Sequence, residues 1–166
     1  LTVASKVDRI ALKQLYDKRI DIKRLSLYRI KQPFTVSVKT PKATITERES
    51  FFVEVEDWAG RIGISECVSF KTNWYLPETI EEDFRVVRDV IAPIALGERY
   101  IHPSQVSRSL ATFADLARYP MAKAAVEPAL WDLYGKIVGK PLSKLIGGSN
   151  QEKILGGAVI GLGTAD

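Results

Sequence analysis

The chain of 166 residues contains one cysteine, Cys67, one histidine, His102, and one methionine, Met121. One cysteine and one histidine cannot close an internal disulfide or build a Cys/His zinc site. Long hydrophobic runs are missing too. None nears the roughly 18 to 20 apolar residues that a membrane-spanning helix needs, so no membrane role is expected. The start, Leu1 to Lys18, alternates apolar and charged residues and lacks the continuous apolar stretch and small-residue cleavage site of a secretory leader. The cytosol is therefore the expected compartment. An excess of one charge sign is also small, with 24 Lys+Arg against 20 Asp+Glu, a net charge of +4. With 46% hydrophobic residues, the chain has the composition of one ordinary folded domain, or one domain and a fragment, and not that of a disordered segment.

The small charge is unevenly placed. Residues 1–50 hold 12 Lys/Arg and 5 Asp/Glu, whereas residues 51–166 hold 12 and 15. A nucleic-acid surface would interleave those cations with exposed aromatics or carry a reading helix, and neither pattern is present. A solvated basic face is the expected reading, with no nucleic-acid partner.

Spacing of apolar residues sets out the elements. Val3, Val7, Ile10, Ala11 and Leu15 recur at threes and fours, as on an amphipathic helix. From Ile20 to Ile30 the pattern alternates and predicts a first strand that ends at Gln32-Pro33-Phe34, where proline cannot donate to a ladder. Thr35 to Thr46 is polar and reads as a loop. Phe51, Val53 and Val55 then alternate with Phe52, Glu54 and Glu56 as a strand with one buried face. Asp57 to Gly60 supplies a turn, and Arg61 to Cys67 a third strand. After Leu76-Pro77-Glu78-Thr79 the period lengthens, with Ile80, Phe84, Val87 and Ile91 predicting a helix that ends near Pro93. A short helix opens at Pro103-Ser104. A longer one carries Ala122 to Ile137 and stops before Gly139. Pro128 inside it requires a bend, or a new start near Glu127. One further turn, Leu142 to Ile146, precedes Gly147-Gly148, and Ile154 to Leu162 is an apolar, glycine-rich strand. Three strands followed by helices make an α+β domain. The last strand has no helix after it, which leads us to expect that a following domain has been cut away.

Few residues read as chemistry. Gly161-Leu162-Gly163 lacks the helix and third glycine of a dinucleotide fingerprint. Glu66-Cys67 has no partnering base, so a strand-end acid beside a small buried residue is the better reading. His102, just before Pro103, reads as a surface or capping residue. Phe70, Trp74 and Tyr75 fall in a loop and not on a periodic face, and loops with large aromatics often close over a ligand. Two loops, Thr35–Thr46 and Val68–Leu76, are thus the candidates for binding. No catalytic constellation and no metal site is complete.

Several segments together carry a resemblance. Gln32-Pro33-Phe34 with Ser37, Glu47-Arg48 before a strand, Gly63 to Cys67, Trp74-Tyr75-Leu76-Pro77-Glu78-Thr79, and Met121 to Glu127 with Trp131-Asp132 are similar to the N-terminal part of o-succinylbenzoate synthases. These belong to the enolase superfamily, in a branch shared with N-succinylamino acid racemases. The resemblance implies an extension at residues 1–19, a capping domain at 20–150 of three antiparallel strands plus helices, and at 151–166 the first strand of a truncated TIM-like barrel. It implies a lyase that removes the proton alpha to a carboxylate and expels hydroxide, with Mg2+ stabilising the enediolate, in menaquinone formation. Its lysine acid and base and its acidic metal ligands would lie beyond Asp166, so this chain alone is expected to be inactive and to bind no cofactor. The resemblance carries over only a substrate lid, with Phe34, Ser37 and Arg48 at the first loop and Phe70, Trp74 and Tyr75 at the second. Ser65 stands where the family has glycine, and the first loop is longer than usual. A small carboxylate is the implied partner, and self-association as a homo-oligomer is compatible with the pattern. A racemase of N-succinylamino acids is the nearest alternative. A free-standing, non-catalytic binding module is the alternative from another class.

Overall fold

The computed structural model describes residues 18–40, 42, 44–148, 153 and 155–158. The helix expected within the first 18 residues and the Gly161–Gly163 segment lie outside them, apart from Lys18. Of the strand expected at Ile154 to Leu162 only 155–158 are described, and these take no regular structure.

Three strands, β1 (Ile22–Lys39), β2 (Thr44–Asp57) and β3 (Ile62–Cys67), pair antiparallel in the order β1-β2-β3. Alternation on β2 sorts its faces: Phe51, Val53 and Val55 are buried, while Glu54 and Glu56 face outward and pair with cations of β1, Lys23 reaching Glu56 at 3.2 Å. The β2–β3 turn is locked by one side chain. Asp57 Oδ1 accepts the N–H groups of Ala59 and Arg61 at 2.9 Å each, and Gly60 takes the left-handed conformation (φ 79°) that glycine adopts without steric cost.

The helices cover the buried face. They are α1 (Ile80–Val86), α2 (Ala92–Gly97), α3 (Ser104–Ala111), α4 (Pro120–Val138) and α5 (Leu142–Leu145). A capping box starts α1: Glu82 N–H donates to Thr79 Oγ1 at 3.4 Å, and Thr79 N–H to the Glu82 carboxylate at 3.1 Å. Thr79→Ala should therefore lower stability by about 1 kcal/mol, read as a shift in the denaturant midpoint at unchanged slope. From α4, Ala122, Ala125, Val126, Ala129, Leu130 and Leu133 are buried in one core with Phe51, Val53, Val55, Ile80, Val87 and Ile91.

Two expectations need correcting. The first strand does not end at Pro33-Phe34, and 35–46 is not a loop. β1 runs on to Lys39 and β2 begins at Thr44, so the two strands form a long hairpin arm with a register irregularity between Pro33 and Val38. Pro33 is tolerated because β1 is an edge strand. Glu47-Arg48 consequently lies within a strand and not ahead of one. Secondly, the helix from Ile80 does not stop near Pro93. A π turn at Val87–Ile91 joins α1 to α2, and its extra residue relieves the clash that proline makes with the preceding turn. A 3-10 turn at Ala114–Arg118 was not expected.

Pro128 lies inside α4, which runs through it as one helix. Lacking an N–H, proline leaves the Ala124 carbonyl without its helical donor. At the next carbonyl, that of Ala125, the Ser65 hydroxyl donates from β3. Ser65 and Pro128 therefore act on one stretch of helix.

Candidate functional site

The hairpin arm and the loop after β3 meet at one end of the sheet. β2 places Arg48 opposite Gln32 of β1. Its guanidinium stacks over the Phe70 ring at 4.5 Å from the centroid, and one of its N–H groups donates to the Val68 carbonyl. Nearby, Lys71 lies 3.9 Å from the Glu47 carboxylate. Strand and loop are thus joined by a cation–π contact, a hydrogen bond and a loose ion pair.

The loop's aromatic residues pack on each other. Phe70 lies 4.8 Å from Trp74 and 6.1 Å from Tyr75, and Trp74 lies 5.5 Å from Tyr75, between ring centroids. These tilted and edge-on geometries are the favoured ones. Tyr75 stays 68% exposed, an amphipathic ring available to a ligand. Between arm and loop is an open cleft of about 270 Å³, lined by Thr44 to Glu49 and by Phe70, Lys71, Thr72 and Trp74. It is walled by aromatics on one side and by Thr, Glu and Arg on the other.

The base of the loop is tightly held. Ile80 N–H donates to the Phe70 carbonyl at 2.9 Å. Glu78, at the far end, accepts the N–H groups of Met121 and Ala122 at 2.9 and 3.4 Å, satisfying the first orphan donors of α4. Ser69 donates to the fully buried Asp83. Cys67 is buried beside them, and burial pushes its thiol pKa up, so the neutral, unreactive form is favoured.

Residues 19–147 match the N-terminal domain of the mandelate racemase/muconate lactonizing enzyme family. This chain belongs to that family. Among relatives of this N-terminal domain, the o-succinylbenzoate synthase of Geobacillus stearothermophilus is 38% identical over 123 residues, 74% of this chain and 31% of that protein. Solved structures agree with the fold. An enolase-superfamily member from Listeria innocua superposes with a TM-score of 0.72 at 22% identity, over 78% of this chain and 34% of that one. The N-succinyl Arg/Lys racemase from Bacillus cereus does so with a TM-score of 0.69 at 25% identity, over 80% and 35%. The chain spans about a third of the length of these proteins. The α+β architecture, with a three-stranded antiparallel sheet and helices, is that of the enolase-superfamily N-terminal domain.

Within this mandelate racemase/muconate lactonizing enzyme N-terminal domain, the structure brings together four of the six residues singled out from sequence. Arg48, Phe70 and Trp74 line the cleft and Tyr75 packs on the aromatic pair. Phe34 and Ser37 sit on the hairpin arm and are not among the lining residues. Glu47, Lys71 and the threonines 44, 46 and 72 line the cleft without having been singled out. The arm's signal was there to be read, since Thr35 to Lys39 alternates β-branched Val36 and Val38 with Ser37 and Lys39.

Elsewhere, Glu66 is exposed. His102 is half-buried and acts at a helix start: its Nδ1 accepts Ser104 N–H at 3.3 Å, and its ring meets Trp131 edge-on at 4.9 Å. Among the described residues no three His, Cys, Asp or Glu side chains converge on a metal position, and no helix is long and apolar enough to cross a membrane.

Proposed function

We propose that this domain is the cap and substrate lid of an o-succinylbenzoate synthase-like lyase. The observation that supports this is the cleft between arm and loop, joined at Arg48 and Phe70, in a chain of which 123 residues align at 38% identity with such a synthase. In this reading the complete protein takes the proton alpha to the carboxylate of a cyclohexadiene substrate and expels hydroxide, a step in menaquinone formation. Mg2+ and a lysine acid and base belong to that chemistry, and the described residues offer no such metal site. The lid's work is therefore to bind and enclose. Phe70, Trp74 and Tyr75 exclude water from the reacting carboxylate. Arg48 has five N–H donors and spends one on the Val68 carbonyl, which leaves donors for a substrate carboxylate.

The test is made on the complete protein with Mg2+. Arg48→Ala and Phe70→Ala should each lower kcat/KM for the cyclohexadiene carboxylate by about tenfold or more, as loss of lid positioning does. If the unmodified protein fails to turn over that substrate, the synthase reading is wrong. Similarity to the N-succinyl Arg/Lys racemase structure favours a second reading, in which the same lid closes over an N-succinylamino acid. Racemisation of such a substrate, without dehydration of the first, would establish it.

A further inference from the structure

The aromatic loop is anchored at its base by two buried carboxyls. Glu78 is 4% exposed and Asp83 is wholly buried. Each lies within hydrogen-bonding reach of the other, yet Asp83 Oδ1 finds no donor from any N–H or other hydroxyl among the described residues. Two carboxylates repel and have no proton to share, whereas a carboxylic acid donates its O–H to a carboxylate. A buried carboxylate oxygen without a donor, on a residue beside a second buried carboxyl, is compatible with a pair that holds one proton.

The surroundings favour retention of that proton. From β3 comes the neutral Cys67 thiol, 4.0 Å from Asp83 Oδ2. Ser69 donates to the same carboxylate oxygen. On α1, the charge of Glu82 pushes Asp83 further up. At α4, the Met121 and Ala122 N–H groups pull the other way on Glu78 without prevailing. No ion pair reaches either carboxyl among the described residues. Burial first, then Asp83, pushes Glu78 up to about 7.

We propose that Glu78 and Asp83 form a proton-linked pinch that holds the aromatic loop closed while the pair shares one proton and releases it when that proton is lost. The geometry links the parts directly. Ser69 precedes the aromatic cluster, Glu78 follows it, and both are tied to Asp83, so repulsion within the pair acts on both ends of the loop. The functional meaning of the pinch rests on the reading of this loop as a lid. It makes lid closure depend on pH through groups at the base of the loop.

Hydrogen exchange of the backbone amides of residues 68–79, followed by mass spectrometry in the complete protein from pH 5.5 to 8.5 and corrected for intrinsic exchange, tests this. Protection should fall about tenfold between pH 6 and pH 8, the change expected when opening returns one carboxyl from about 7 to its ordinary value. Glu78→Gln keeps a carbonyl for the α4 amides and an N–H2 for Asp83, so its protection should be flat over that range. Should that variant fail to fold, Asp83→Asn gives the same readout. Unchanged protection in the unmodified protein, or an equal fall in the variants, would overturn the pinch. Adding the cyclohexadiene carboxylate at pH 6 tests the lid separately: no added protection of the loop rejects the lid and leaves the pinch to be judged on pH alone.

Discussion

Gly63→Ala should cost this domain about 3 kcal/mol or more, enough to remove much of its stability. Strand β3 crosses α4 so closely that a Cβ at position 63 would lie 2.1 Å from the Ala129 carbonyl oxygen and 2.7 Å from the Leu133 nitrogen. Both are backbone atoms in the interior of a helix and cannot rotate aside as a side chain could. To relieve the clash, α4 would have to move away from the sheet, and the contacts on either side of Gly63 resist that. Asp132 of α4 accepts the Ile64 N–H at 2.9 Å, and the Lys136 ammonium donates to the Ile62 carbonyl at 2.5 Å. The two side chains also pair with each other at 2.9 Å. They occupy the free edge of β3, which would otherwise present unpaired backbone groups to another strand. Displacing α4 would break this cover and open the core around Leu130 and Leu133. A denaturant titration of the variant should show a lower midpoint at similar slope. A midpoint matching the unmodified protein would show that the helix yields freely, contrary to this account.

Stability should also fall as pH rises through the neutral range, by an amount of the same order. In the unfolded chain Glu78 ionises near its ordinary value of 4.5, whereas in the fold it keeps its proton up to about 7. Between those values the folded state binds more protons than the unfolded state, so the free energy of unfolding decreases with increasing pH. The contribution is fully present below about 4.5, declines from there, and is lost once pH has passed 7. Its size is about 3 kcal/mol from the gap between the two values. For a domain of this length that corresponds to roughly 10 °C in Tm. Denaturant unfolding at pH 5, 6, 7 and 8 should show the decline in the unmodified protein and a much shallower one in Glu78→Gln. Parallel pH curves for the two would place the titrating group elsewhere.

How much was legible in the sequence differs by element. β2 was readable because one of its faces is buried: Phe51, Val53 and Val55 alternate with polar residues, and water sorts the two sets. The hairpin arm was not, because neither face is buried. Val36 is 77% exposed and Val38 48% exposed, so the Val/Ser/Val/Lys alternation there marks no core-facing side, and the Thr- and Lys-rich composition around it outweighed that short signal. Similarly, proline misled at 93 and raised a false alternative at 128. In one case a π turn absorbs it, and in the other a continuous helix packed on both sides by buried residues carries it. The aromatic residues of the second loop stood out because they fit no period. Their partner Arg48 was reached only through the family resemblance.

Sequence alone determined the class of this domain: three strands, then helices, with the β2 stripe and the Ala/Leu stripe of α4 as the two surfaces that water drives together. Local spacing suffices for that, because period and burial are set within a few residues. Only the tertiary structure decided the rest. Gly63 meets Ala129 and Leu133 across a strand–helix crossing, Arg48 of β2 reaches Phe70 beyond β3, and Glu78 is buried against the start of α4, with Asp83 buried beside the loop's base. Each depends on distances between segments far apart in the chain, and on exclusion of water by a third element, which no pattern within one segment encodes.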